Sequence, residues 1–492
     1  MKNRALRICA ILMAVYLLLG ALFYFVAGDS LYFTPASTKA VSGKGNLGEL
    51  VQGNSVKQSF TCETDTLESV SVLLGTMDRT NTDVLRVEIT DAEGKLLFTE
   101  DVSTANADRV VDNSPLVITP KTAIENARGK VFTLTITSLQ GANGNAITFY
   151  YGNSVSAGRA DIGVGVSEQE ALYVNGELKT DKSGAPYSLC LSVTGNNLHL
   201  VGSVYWYLYA GGAVLFALAL VYIARCYVKE KKNAVLSLIF SLRKYAFLTK
   251  QLVARDFKTK YKRSVLGVLW SFLNPLLTMS IQYVVFSTIF KSDIPNFSIY
   301  LLSGIICFNF FNEATNMCLM SIVGNAPLIN KVYVPKYIYP FSRTLSSCIN
   351  LLLSLVPLLI MLVATRTPIT PAILLLPFVL LMLFLLSYGV GLILATLMVF
   401  FRDTQFLWGI ISMLLMYLTP VFYPESIIPD RFMTVYRLNP MYQVLRFIRS
   451  VLLDGTSPEP RAYLTCILLC CIPLLIGVLV FRKNQNKFIF NL

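Results

Sequence analysis

From Ser264 to Phe290 the chain carries no charged residue, while the block just before it, Arg255 to Arg263, holds five basic residues against the single acid Asp256. An uncharged run of that length covers the roughly 20 residues a helix needs to cross a bilayer. The basic block fixes orientation as well, because Lys and Arg flanking a span are retained on the cytosolic side. The chain therefore folds partly in lipid, with Arg255–Arg263 marking a cytosolic edge.

Composition agrees. Hydrophobic residues make up 54% of the 492-residue chain and charged residues only 14%, more apolar surface than one soluble core requires. The net charge of +13 is unevenly spread: residues 28–203 hold 20 acidic and 13 basic side chains, and the remainder holds nine acidic and 29 basic. A basic surplus beside apolar runs orients spans and meets anionic headgroups, so membrane lipids are the expected partner and nucleic acid is not.

At the start, Lys2, Arg4 and Arg7 precede an uncharged run from Ile8 to Gly28, longer than the 7 to 15 residues of a secretory signal core. Residues 1–28 read as a retained transmembrane helix. A cleaved signal ending in Val26-Ala27-Gly28 is the alternative, and both place residue 29 onward outside. Residues 29–203 then alternate, as in Val70–Leu74, Leu85–Ile89, Val131–Ile136 and Ile147–Tyr151, with turns at Asp91-Ala92-Glu93-Gly94 and Asn143-Gly144-Asn145. Period-2 alternation with one wet face predicts an extracellular all-β sandwich of jelly-roll type. Residues 58–138 are similar in pattern to galactose-binding-like sandwiches, which would make sugar binding this domain's task; a spacer or assembly surface is the alternative.

Of ten cysteines only Cys62 and Cys190 fall in this segment, near its first and last clear strands, and a disulfide between them is one reading and free thiols the other. The single histidine, His199, and the absence of paired CxxC motifs leave no basis for a metal site or for a catalytic Cys-His or Ser-His pair.

Residues 204–225 form a second span that returns the chain inward, and from Arg225 to Arg263 there are 12 basic and two acidic residues. Within 226–263, Leu236, Ile239, Phe240, Leu242, Phe247, Leu248, Leu252 and Val253 recur at three- and four-residue steps, as in an interfacial amphipathic helix along the inner leaflet. Six further spans follow in residues 264–492, at 265–290, 299–322, 338–364, 372–400, 406–423 and 462–481. The expected fold is an α-helical polytopic membrane protein of about eight transmembrane helices with the sandwich inserted after the first. Eight crossings leave both termini cytosolic, in keeping with Lys331, Lys336, Arg402, Arg482, Lys483 and Lys487 on the basic side.

In register, Arg255, Asp256, Lys260, Tyr261, Ser264, Leu266, Gly267, Trp270 and Pro275 resemble the entry to the first span of the membrane subunit of ABC-2 type polysaccharide exporters, the permeases for O-antigen, capsule and teichoic acid chains. The resemblance extends over about 240–485 through Pro327-Leu328-Ile329-Asn330-Lys331-Val332 with Pro335, through Phe401-Arg402-Asp403, and through Leu418–Pro424 with Asn439-Pro440, which match a re-entrant pair of short helices at the outer mouth. It implies a homodimeric permease in the bacterial plasma membrane that moves a lipid-linked polysaccharide or teichoic acid precursor outward. Because no GxxxxGK[ST] loop occurs, the chain has no cofactor of its own by that route, and ATP and Mg are expected on two copies of a partner ABC ATPase. The resemblance assigns ATPase coupling to Arg255, Asp256, Lys260, Tyr261, Pro327, Lys331, Pro335, Arg402 and Asp403. The added hairpin and sandwich depart from the commoner six-span form.

Glu313 and Arg343 lie at similar depth in two spans, and pairing them would offset part of the cost of each charge in lipid; lining the polymer path is the other reading. Aromatic faces stack on sugar rings, which makes Trp270, Tyr283, Phe286, Phe308, Phe310, Phe311 and Tyr417 candidates for that path, with lipid- or helix-facing positions the alternative. Export of a lipid or small molecule, and a membrane sensor with a ligand-binding sandwich, are the competing functions.

Overall fold

The computed structural model describes residues 2–38, 45–153, 172–180, 187–228, 243–262, 264–288, 296–329, 331 and 334–491. Two compact units emerge, one from Tyr32 to Leu200 and the other from the helical segments on either side of it.

The helical unit begins with α1 (Lys2–Ala27) and resumes with α2 (Val201–Val228), which pack against each other. Aromatic residues set that contact: the Tyr16 and Tyr209 rings stack at 5.4 Å, and the Tyr205 hydroxyl donates to the Gly20 carbonyl at 2.7 Å. The Phe23 ring then meets Tyr463 edge-on at 5.3 Å, which ties the hairpin to the rest of the unit.

The β unit is a two-sheet antiparallel sandwich. Its strands are β1 (Phe33–Ser37), β2 (Gly45–Asn46), β3 (Ser55–Thr61), β4 (Ser69–Gly75), β5 (Val84–Asp91), β6 (Leu96–Ser103), β7 (Ser114–Ile118), β8 (Val131–Ser138), β9 (Thr148–Asn153), β10 (Leu172–Val174), β11 (Glu177–Leu178), β12 (Tyr187–Leu189) and β13 (Leu191–Leu198). One sheet runs β1-β13-β4-β9-β12, with β2 on β9 and β7 on β4; the other runs β11-β10-β3-β8-β5-β6. Alternation decides the facing: Leu85, Val87 and Ile89 of β5 and Phe132, Leu134 and Ile136 of β8 all point into one buried core, in the register Val87↔Ile136. The turn after β5 closes as its residues dictate, with the Asp91 carboxylate accepting from the backbone of Glu93 and Lys95 and Gly94 taking a φ of +81°.

No bridge joins Cys62 and Cys190; both are buried free thiols. Cys62 lies beside the Thr64 hydroxyl (3.2 Å), which itself abuts Gly195 of β13, whereas Cys190 precedes that strand's first residue. Five extended residues separate Cys190 from Gly195, about 17 Å along the strand, well beyond the roughly 7 Å a disulfide tolerates.

The second part of the helical unit contains α3 (Ala246–Tyr261), α4 (Trp270–Thr288), α5 (Phe297–Leu319), α6 (Ile338–Ala364), α7 (Leu376–Phe400), α8 (Thr404–Leu418), α9 (Asp430–Arg437), α10 (Pro440–Arg449), α11 (Pro460–Asn484) and α12 (Phe488–Asn491). Among the described residues, seven helical segments are long and apolar enough to cross a membrane: Arg7–Leu31, Val201–Tyr227, Gly267–Phe286, Phe297–Leu319, Ile338–Ala364, Pro371–Phe400 and Pro460–Asn491. The eighth span expected at 406–423 is shorter. It is helical only as α8, 15 residues and about 22 Å long, because Pro420 disfavours a helical Thr419, whose ψ of 134° sends the chain into an extended segment. The amphipathic helix expected over 226–263 is described from Ala246 to Tyr261, and its positions Leu236, Ile239, Phe240 and Leu242 lie outside the described residues, as do Arg263, Phe290, Asn330 and Val332.

α5 is the most enclosed of the long helices, packed by α4, α6 and α7. α7 and α11 meet at backbone contact: a Cβ on Gly477 would lie 2.3 Å from the Gly389 carbonyl oxygen, so only glycine permits that approach. At the α12 end, Phe488 is fully buried among Ile338, Tyr339, Leu392 and Phe481, and Lys336 donates to the Gln485 carbonyl. Burial holds the Lys336 ammonium below the usual lysine value.

Candidate functional site

Polar side chains on four helices converge where α3 crosses α5 and α6. Helical spacing on α3 presents Asp256 and Lys260, four residues apart, on one face. Asp256 Oδ1 accepts from Arg343 of α6 at 2.9 Å and from Arg255 at 3.2 Å. One turn later, Lys260 Nζ meets Glu313 Oε1 of α5 at 2.8 Å. The same Glu313 oxygen accepts from Asn350 Nδ2 of α6 at 2.6 Å, and the Tyr261 hydroxyl donates to Asn350 Oδ1 at 2.9 Å and bonds the Ser271 hydroxyl of α4.

This arrangement revises the expected Glu313–Arg343 pair. Among the described residues these two charges do not pair with each other; each is met by an opposite charge from α3. Equal depth in two spans is necessary for a direct pair but insufficient, since helix rotation aims each side chain, and here both are aimed at α3.

Around the network lies a cavity of about 290 Å³ bounded by α3, α4, α5 and α6. Trp270, Ile306, Phe310 and Leu351 supply its apolar wall; Ser271, Asn274, Asn309 and Ser354 supply hydroxyl and amide groups. A second, more open groove of about 610 Å³ is lined by Arg255, Asp256, Thr259 and Arg343. Both spaces are bordered by Lys260 and Glu313. The site therefore offers an aromatic face, neutral hydrogen-bonding groups and a partly exposed ion pair, suited to a polyhydroxylated ligand bearing charge.

The other aromatic candidates are distributed differently. Phe308 and Phe311 are buried in the helical core, with Phe311 6.2 Å from the Trp408 ring, because they turn away from the face on which Ile306, Asn309, Phe310 and Glu313 reach the cavity. Tyr283 packs on Phe297 (6.0 Å) and Phe286 on Phe422 (6.1 Å), while Tyr417 is exposed. Of the expected path residues, Trp270 and Phe310 line this cavity.

Arg255, Asp256, Lys260 and Tyr261 come together at the network. Pro327 sits in a single helical turn (Ala326–Ile329), Lys331 is exposed, and the Pro335 carbonyl accepts from Ile338 at the start of α6. Arg402 and Asp403 are exposed at the α7–α8 turn, where the Asp403 carbonyl accepts the first α8 bonds. None of these five lines the cavity or the groove.

Sequence reasoning overlooked Asn274, Asn309, Asn350, Ser271 and Ser354. The signal was available: Asn309 with Glu313, and Asn350 with Ser354, are polar residues four apart inside apolar spans, where such groups must find partners or a wet cavity. Arg449 was also overlooked. It lies buried against the Tyr300 ring at the end where α10 packs on α5, and Asn439 caps α10 through Met441 N at 3.0 Å.

Residues 248–453, which contain the whole network, match the family model described as ABC-2 type transporter. This segment is an ABC-2 type transporter domain. The O-antigen export system permease protein RfbA of Klebsiella pneumoniae is 29% identical over 238 residues, 48% of this chain and 90% of that protein. RfbA of Myxococcus xanthus is 27% identical over 256 residues, 52% of this chain and 98% of its own length. The polysialic acid transport protein KpsM of Escherichia coli is 24% identical over 241 residues, 48% of this chain and 93% of that protein. The α1–α2 hairpin and the sandwich precede the stretch matched by the ABC-2 model. With seven long apolar helices around this ABC-2 domain, the protein is a multi-pass membrane protein.

Proposed function

We infer that the protein is the membrane subunit of an ATP-driven exporter that moves a lipid-linked polysaccharide or teichoic acid precursor from the cytosolic to the outer face of the bacterial plasma membrane. The observation that carries this reading is the alignment of its ABC-2 domain with nearly the full length of permeases named for O-antigen and polysialic acid transport. The cavity beside α3 supports it, since Trp270 with Asn274, Asn309 and Ser271 is the mixture of apolar face and hydrogen-bonding groups that sugars need.

Two copies of the chain work with two copies of an ABC ATPase, which holds ATP and Mg. The ATPases engage the α3 side through Arg402, Asp403 and the loop carrying Pro327, Lys331 and Pro335. The 12 basic residues between Arg225 and Arg263 keep that side in the cytosol and put the sandwich outside as an accessory domain. Movement follows a two-state path in which closure of the ATPase pair pushes on α5 and α6.

Deleting the gene and analysing glycans tests the reading. Surface polymer is expected to disappear while lipid-linked glycan accumulates on the inner face, with restoration by the wild-type gene; unchanged surface glycan overturns it.

A further inference from the structure

The cavity and the groove share one ion pair in their linings, so a ligand in either space borders Lys260 and Glu313. The two pins that hold α3 differ in a way that suits different tasks. Asp256 is 4% exposed and bound by two guanidinium groups, a static anchor. Lys260 and Glu313 are 45% and 28% exposed, so either partner can be reached by a ligand. When Lys260 leaves, Glu313 keeps a donor, because Asn350 holds the same oxygen and is itself held by Tyr261.

Charge favours an anionic visitor. Arg255, Lys260 and Arg343 outnumber Asp256 and Glu313 around the two spaces. The amide of Asn309 has no protein partner among the described residues and lines the same cavity as Trp270, a combination suited to a sugar hydroxyl. At about 290 Å³ the cavity lies at the lower bound for small-molecule sites, room for a headgroup rather than a polymer segment.

The geometry points to Lys260–Glu313 as a charge-exchange gate: the phosphate of a sugar phosphate replaces the Glu313 carboxylate on Lys260, and the sugar enters the cavity against Trp270. Glu313 is thus a built-in competitor, and only a ligand carrying its own anion offsets the loss of the pair. The gate rests on the export reading, because it names the group of the exported precursor that the site recognises.

The test uses the full-length protein in phosphatidylcholine nanodiscs, in a Trp206→Phe, Trp408→Phe background that leaves Trp270 as the sole tryptophan. Decyl glucosyl phosphate is compared with decyl glucoside, which has the same sugar and tail without the phosphate. The expected result is a Trp270 emission change with a midpoint about tenfold lower for the phosphate probe. Glu313→Gln should lower that midpoint further, about fivefold, whereas Lys260→Gln abolishes the preference and Lys260→Arg keeps it. A merely structural pair would make Glu313→Gln and Lys260→Gln weaken binding alike, and that result overturns the gate. So does an equal response to both probes, or loss of the response in phosphatidylglycerol nanodiscs, which would assign the site to bulk lipid headgroups. Should Lys260→Gln fail to fold, the gain expected of Glu313→Gln beside the unchanged preference expected of Lys260→Arg still decides: weaker binding in Glu313→Gln overturns the gate. A flat probe response alongside gene-dependent surface glycan removes the gate and leaves export standing; loss of both removes both.

Discussion

The guanidinium of Arg449 lies 3.4 Å from the centroid of the Tyr300 ring, and it donates to the carbonyl oxygens of Pro420 at 2.7 Å and Val421 at 3.0 Å. This one side chain ties α10 to α5 and to the extended segment that ends α8. Gly304 makes the room, since a Cβ there would sit 3.0 Å from the guanidinium nitrogen. The planar fork and the stacking face are arginine's alone.

Arg449→Met is therefore expected to destabilise the protein by about 2 to 4 kcal/mol, because buried carbonyls lose their donors. Arg449→Lys should recover only part of that loss. Thermal unfolding in detergent checks both, and Gly304→Ala should lower the midpoint in the same assay.

The anchor between α3 and α6 gives a coupling prediction. Asp256→Asn leaves Arg343 without its carboxylate and is expected to cost about 3 kcal/mol, whereas Arg343→Gln leaves Asp256 to Arg255 alone and should cost less. The double variant should cost clearly less than the sum, since the second substitution removes the charge stranded by the first. Additive losses in a melting cycle would contradict the 2.9 Å pair.

For the sandwich cysteines the expectation is chemical. Mass mapping after denaturation without reductant should find both Cys62 and Cys190 alkylated. Burial pushes the Cys190 thiol up, so its labelling rate in the folded protein should still climb steeply past pH 9, where an ordinary thiol with a value of about 8.5 levels off.

Asp112 supplies an acid-side prediction. Its carboxylate accepts from the Thr76 backbone N–H and, at 2.9 Å, from the Thr76 hydroxyl, which hold it below the usual aspartate range. A depressed folded value contributes stability above the unfolded value of about 3.9, and this stability is lost as pH falls through the folded value beneath it. Hydrogen exchange over residues 69–77, corrected for intrinsic rate, should lose protection across that acid window in the wild type. Asp112→Asn should already show the reduced protection at pH 6 and stay flat.

Much of the architecture was legible one segment at a time. The alternation in Leu85–Ile89 and Val131–Ile136 predicted β5 and β8 because a strand's facing is set by neighbours two residues apart. The basic block at Arg255–Arg263 and the apolar runs after it located α3 and the long helices of the ABC-2 domain for the same local reason. Pro420 was equally visible, yet the hydropathy of Leu418–Tyr423 carried the expected span past it, and the helix ends at Leu418 because backbone sterics outrank apolar character there.

By itself the sequence determined which segments enter lipid and which form a sandwich, since transfer of apolar side chains and strand alternation depend on composition within a few turns. Only the tertiary structure decided that Glu313 would meet Lys260, that Arg343 would meet Asp256, and that Asn350 would stand between Glu313 and Tyr261. Those partners lie 37 to 89 positions apart, and their meeting depends on the rotation of each helix about its own axis, which packing against neighbouring helices sets and hydropathy does not encode.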